Sequence, residues 1–217
     1  MIPFQIKDCA LLTQMSGLMP AFNLRELRDR IAYCNPQIIY HHYCENVLAP
    51  TFDYPDFRND FAVWVRTCLD DKVLAERLGI VNPYQYRSME DLRQDTLDIL
   101  DERLNELPLV HSVPPGYEFY FMEAITVVFD TGHVINGPEE LGGAVAKMTN
   151  GSIYFHFLEA RRRTQAGVDD FTWWLQDCEG TWDAYLDVLK SIDFMFYSLA
   201  ELRQQISESL LRIGGNE

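Results

Sequence analysis

The sequence predicts a mainly α protein with a small β element (α+β), organised as two tandem homologous helical units related by a pseudo-two-fold axis. The chief observation is internal recurrence. Residues 10–45 reappear as 124–159 and residues 60–97 as 170–207, with IIYHHYCE (38–45) matching SIYFHFLE (152–159) and NDFAVWVRTC (59–68) matching DDFTWWLQDC (169–178). Sixteen of 74 aligned positions are identical, well above the roughly one in seventeen of unrelated segments, so the recurrence reflects a common unit. A second observation is apolar spacing of helical period after each opening segment. A third is the Pro- and Gly-containing stretch NELPLVHSVPPGYE between the copies. Together they divide the chain into a first unit (1–107), a linker (108–117) and a second unit (118–217), packed as one compact body.

Each unit opens on a β-like run, FQIKDCALL (4–12) and YEFYFMEAITVVF (117–129). In the second, β-branched residues flank Asp130-Thr131-Gly132, a pattern that predicts a tight hairpin. Helices follow. Asn23 with Glu26 forms a capping box, and Gly137, Pro138 and Glu140 take the equivalent places. The next helix begins after Asn35-Pro36 in one copy and at Thr149-Asn150-Gly151 in the other. A third is capped by Asn59-Asp60 or Asp169-Asp170 and turns Phe61 and Trp64, or Phe171 and Trp174, to one side. Shorter helices are predicted near 71–79 and 180–190. Ser88 and Ser198 then cap closing helices that run from Met89 to about Leu104 and from Leu199 to Ile213.

Composition narrows the function. Eighteen basic against 33 acidic residues give a net charge of −15, which repels phosphate backbones and anionic lipid. Nucleic acid and membrane are therefore not expected partners. The basic cluster Arg161-Arg162-Arg163 reads as a solvated helix end. Five cysteines, an odd number without C-x-x-C spacing, predict neither disulfides nor a zinc knuckle and suit a reducing cytoplasm. No run approaches the length of a membrane span.

The chemistry-bearing candidates are few. Phe129-Asp130-Thr131-Gly132 imitates an aspartic-protease turn, but the aligned position in the other copy is Ser16, and one carboxylate cannot form a dyad. H-x-x-E recurs as His42/Glu45 and His156/Glu159. Residues three apart share a helical face, so two such pairs meeting at the pseudo-axis could hold one divalent metal ion. The alternative is that both histidines are core residues whose ring nitrogens are bonded by Asp60 and Asp170. Arg93 and Arg203 sit near helix starts, where the dipole disfavours a cation. Their placement predicts an acidic partner among Asp60, Asp170, Glu45 and Glu159. Trp64, Trp173, Trp174 and Trp182 read as core, or as the floor of a sugar-like pocket.

An opening FxF-type strand, SIYFHF, NDFA-x-W (Asn59–Trp64) and S-x-x-x-L-R, in that order, resemble a bacterial family known only as a domain of unknown function. The resemblance covers both halves and implies a bacterial cytoplasmic protein. It brings no catalytic residue, cofactor or substrate with it. The leading expectation is a non-enzymatic binding or regulatory module that recognises another protein, with no required cofactor. The alternatives are metal binding by His42, Glu45, His156 and Glu159, and a small-ligand cleft between the copies, where positions such as His41 against Phe155, or Tyr33 against Lys147, differ.

Overall fold

The computed structural model describes residues 2–48, 56–164 and 166–214. It is mainly helical with one small antiparallel sheet. The chain divides into a continuous unit, Leu11–Ile125, and a discontinuous unit, Met1–Ala10 with Thr126–Glu217. The boundaries thus fall inside the two strands rather than at the 108–117 linker. Relative to the sequence repeats, the continuous unit includes 118–125 and lacks the first ten residues.

Strands β1 (Phe4–Met15) and β2 (Met122–Ile135) form the two-stranded sheet. Their antiparallel direction is visible in side-chain bonds: Thr131 Oγ1 donates to the Ile6 carbonyl at 2.6 Å, and Gln14 Nε2 to Glu123 Oε1 at 2.9 Å. The hairpin expected at Asp130-Thr131-Gly132 does not form. β2 runs straight through it, because β1 supplies the partner strand that a hairpin would have had to find locally. Gly132, at φ 77°, takes a left-handed conformation within the strand, and Thr131 Oγ1 also accepts from the His133 N–H.

In the continuous unit, α1 (Leu24–Tyr33) starts at Asn23, whose Oδ1 accepts from the Glu26 N–H at 3.0 Å. Glu26 reaches back one residue further than a standard capping box, to the Phe22 N–H. Asn35 and Pro36 start α2 (Pro36–Tyr40), which continues directly into a π-helical turn, His41–Glu45. Then come α3 (Asp60–Thr67), capped by Asn59, α4 (Lys72–Gly79), capped by Asp71, and α5 (Met89–Glu106), capped by Ser88. Their apolar faces bury Leu27, Ile31, Ile39, Phe61, Trp64, Leu74, Leu78, Leu92 and Leu100 with Phe119 and Phe121. Each such side chain contributes about 1.5–3 kcal/mol of burial free energy.

The discontinuous unit follows a parallel order. A 3₁₀ turn at Pro138–Glu140 leads into α6 (Leu141–Val145), and Thr149 caps α7 (Asn150–Ile153). A second π-helical segment, Tyr154–Glu159, runs on into α8 (Ala160–Arg163). Asp169 caps α9 (Asp170–Gln176), followed by α10 (Asp183–Ser191) and α11 (Leu199–Gly214). At the start of α7 the chain passes so close to β1 that a Cβ on Gly151 would stand 2.4 Å from the Cys9 carbonyl oxygen. Only glycine fits there.

The arginines depart from expectation. Arg93 is buried and donates to the carbonyls of Ile31 and, at 2.9 Å, Cys34, capping the end of α1, while its Nε pairs with Glu90. Arg203 donates to the Met148 carbonyl at 3.0 Å. The orphan carbonyls of a helix end serve as the acceptors in place of the predicted carboxylates. Arg161-Arg162-Arg163 is not simply a solvated end either: Arg161 pairs with Asp169 at 3.1 Å and Arg163 with Asp170 at 2.9 Å. Among the described residues no helix is long and apolar enough to cross a membrane.

Candidate functional site

Both π-helical segments position a histidine against the first turn of the next helix. His42 Nδ1 lies 2.7 Å from Asp60 Oδ2, and His156 Nδ1 lies 2.8 Å from Asp170 Oδ2. The other ring nitrogen is occupied too. His42 Nε2 accepts the Met122 N–H at 3.0 Å, and His156 Nε2 accepts the Lys7 N–H at 2.9 Å. A nitrogen that accepts carries no proton, so each ring is the Nδ1–H tautomer donating to its aspartate. Around each ring pack one phenylalanine at or just before a strand and one helix phenylalanine: Phe119 and Phe61 at 4.8 and 5.2 Å from His42, Phe4 and Phe171 at 4.9 and 5.8 Å from His156. Each tryptophan of the matched pair ties down the segment just before a strand, Trp64 Nε1 donating to the Tyr117 carbonyl and Trp174 Nε1 to the Ile2 carbonyl.

Each H-x-x-E glutamate has a neighbour other than its histidine. In the wider π turn Glu45 lies against His41, with Oε2 3.0 Å from Nδ1, and not against His42. Glu159 lies 4.0 Å from Arg162. With both nitrogens of His42 and of His156 engaged, neither ring presents a lone pair for a metal or a general base in this arrangement. Among the described residues no group of three or more His, Cys, Asp or Glu side chains has metal-binding spacing. Burial pushes the His42 imidazole below its ordinary pKa, more strongly than Asp60 pulls it up. It likewise raises the Asp169 carboxyl, against the opposing pull of Arg161.

Beside His156 the discontinuous unit opens into a pocket of about 780 Å³. Phe4, Gln5 and Lys7 of β1 line it, with Gln5 and Lys7 on the same strand face. Trp173 and Trp174 of α9, its C-cap Asp177, Phe155 and Arg163 line it as well. Trp173 is 51% exposed, whereas Phe4, Phe155 and Trp174 are each below 9%. Arg163 stacks over the Phe155 ring at 4.1 Å, and its Nη2 donates to Asp170 and to the Phe155 carbonyl.

The model of a family of unknown function, DUF5752, matches residues 1–211. The chain belongs to this family. A solved structure, OrfY from Thermoproteus tenax, is similar to this DUF5752 chain with a TM-score of 0.77 and 29% sequence identity, over 97% of this chain and 95% of that one. No curated protein sequence matches it. In this DUF5752 member, sequence reasoning placed Asp60 and Asp170 beside the histidines but missed the strand N–H that completes each ring. It also missed Lys7 and Gln5 as pocket residues. The alternation along β1 that puts residues 5 and 7 on one face was the available clue.

Proposed function

We propose that the protein is a non-enzymatic, cytoplasmic binding protein whose small-molecule ligand occupies the pocket of the discontinuous unit. The observation that carries this reading is the contrast within that pocket. His156 and Asp170, which resemble half of a catalytic triad, are fully committed to structure, while Trp173, Gln5, Lys7 and Asp177 line open volume. Binding sites combine an apolar floor with a few convergent polar groups in this way. Five free cysteines, four of them buried, support a reducing location. An unbiased fragment screen by ligand-observed NMR tests the reading. Hits displaced or weakened by Trp173→Ala are expected, and a screen without such hits would sink it.

A second reading has its own support. β2 leaves Val127, Val128, Phe129 and Val134 between 42% and 48% exposed, and in a sheet of two strands it is an edge strand. Such an edge suits addition of an extended apolar segment from another protein. Lysines at Val127 and Phe129 should then abolish binding of a Val/Phe-rich β-strand peptide that the unaltered chain retains.

A further inference from the structure

Resting on the pocket reading above, we infer that the ligand is a hydroxylated ring bearing one phosphate or carboxylate group, held with its anion toward Lys7 and Arg163 and its hydroxyls toward Gln5 and Asp177. The pocket is electrically polarised along its length. The Trp174 indole bonds the Ile2 carbonyl near one end of β1, and His156, itself bonded to Asp170, bonds the Lys7 amide five residues further on. Five strand residues span about 16 Å. Helix α9 carries Asp170 at its start and Asp177 at its C-cap, about 10 Å apart along the helix axis. Lys7 and Arg163 cluster at the Asp170 end, where the charge of Asp170 is already taken up by the His156 N–H and by Arg163 Nη2.

The Lys7 ammonium has no ion-pair partner among the described residues, although its backbone is pinned by His156. The hydrogen bonds of Arg163 to Phe155 and Asp170 both run through Nη2. In a chain of net charge −15, a cationic pocket end beside a spent carboxylate is a place where an anion is favoured rather than repelled. The Asp177 carboxylate at the other end accepts hydrogen bonds, and the Gln5 amide, two residues along β1 from Lys7, donates and accepts them; the two complement a polyhydroxyl face. Between the ends the exposed Trp173 indole offers a flat apolar surface of the kind on which a sugar or base ring stacks.

The experiment is isothermal titration of the full chain with a hexose phosphate, a sugar acid and a nucleoside monophosphate, each beside its uncharged parent. At least one anion should bind ten-fold or more tightly than its parent, and the affinity should fall as salt rises. Lys7→Gln should weaken that anion about ten-fold, and Trp173→Ala should weaken anion and parent alike. Both side chains are clear of the core, and the Lys7 N–H to His156 bond is a backbone bond that survives the substitution. Equal binding of parent and anion, an unchanged affinity in Lys7→Gln, or no binding of any anion at millimolar concentration would each overturn the anionic assignment. The fragment screen judges the pocket itself separately: hits there that are neutral would leave the pocket and remove the anion.

Discussion

At His42 two opposing effects can be ranked. Burial disfavours the imidazolium more than Asp60 favours it, so the folded pKa lies below the ordinary 6.5. Below pH 6.5 the unfolded chain then binds more protons than the folded one, and stability is lost as pH falls from 6.5 toward the folded pKa. Above 6.5 the contribution is fully present. Urea midpoints should therefore be flat from about pH 7 to 8 and decline below about 6.5, before most carboxylates titrate. His42→Gln should reduce that slope. The paired histidines also differ in what they leave behind. His42→Ala strands the Met122 N–H and leaves Asp60 with only Asn46, so about 4 kcal/mol is expected. His156→Ala leaves Asp170 with Arg163 in a more open setting, so about 2 kcal/mol is expected from the same denaturation measurement.

At the scale of elements, helix starts were the most legible part of the sequence. Asn23, Asn35, Asn59, Ser88, Thr149 and Asp169 each accept the N–H their side-chain chemistry calls for, since caps are local and depend on little else. The π-helical turns were illegible. They insert one residue where long-range bonds from Asp60 and Asp170 hold the histidines, and no intrinsic propensity marks the place. The β2 hairpin misled for a related reason: local turn chemistry at Gly132 was overruled by a strand more than a hundred residues away. The matched tryptophans remain the firmest core prediction. Trp64 is fully buried and Trp174 is 7% exposed, so replacement of either by Ala should cost about 3–5 kcal/mol. Trp64→Phe, which keeps most of the volume but drops the bond to the Tyr117 carbonyl, should cost about 1–2 kcal/mol in the same assay.

For the whole molecule, the division of the chain predicts which fragments fold. A fragment ending at residue 107, the boundary of the sequence repeat, lacks Phe119, Phe121 and the Met122 N–H that complete the surroundings of His42. A fragment of residues 11–125 contains them all. The second fragment should unfold cooperatively in urea and give dispersed NMR spectra, and residues 1–107 should not. Equal behaviour of the two would show that the strand segment is dispensable. Likewise, removing residues 2–8 should leave hydrogen-exchange protection in α1 and α5 largely intact while protection falls in α9, where Trp174 and, through His156, Asp170 lose their strand partners.

The discontinuous unit also sets a schedule for biosynthesis. Ile2 and Lys7 leave the ribosome far ahead of their partners, Trp174 and His156. At translation rates of about 5–20 residues per second, the wait is roughly 7–35 s. Throughout it, the first strand segment waits with Phe4 uncovered and its edge unpaired. That interval lengthens with every residue inserted between Ala10 and Thr126, whereas insertions after Trp174 leave it untouched.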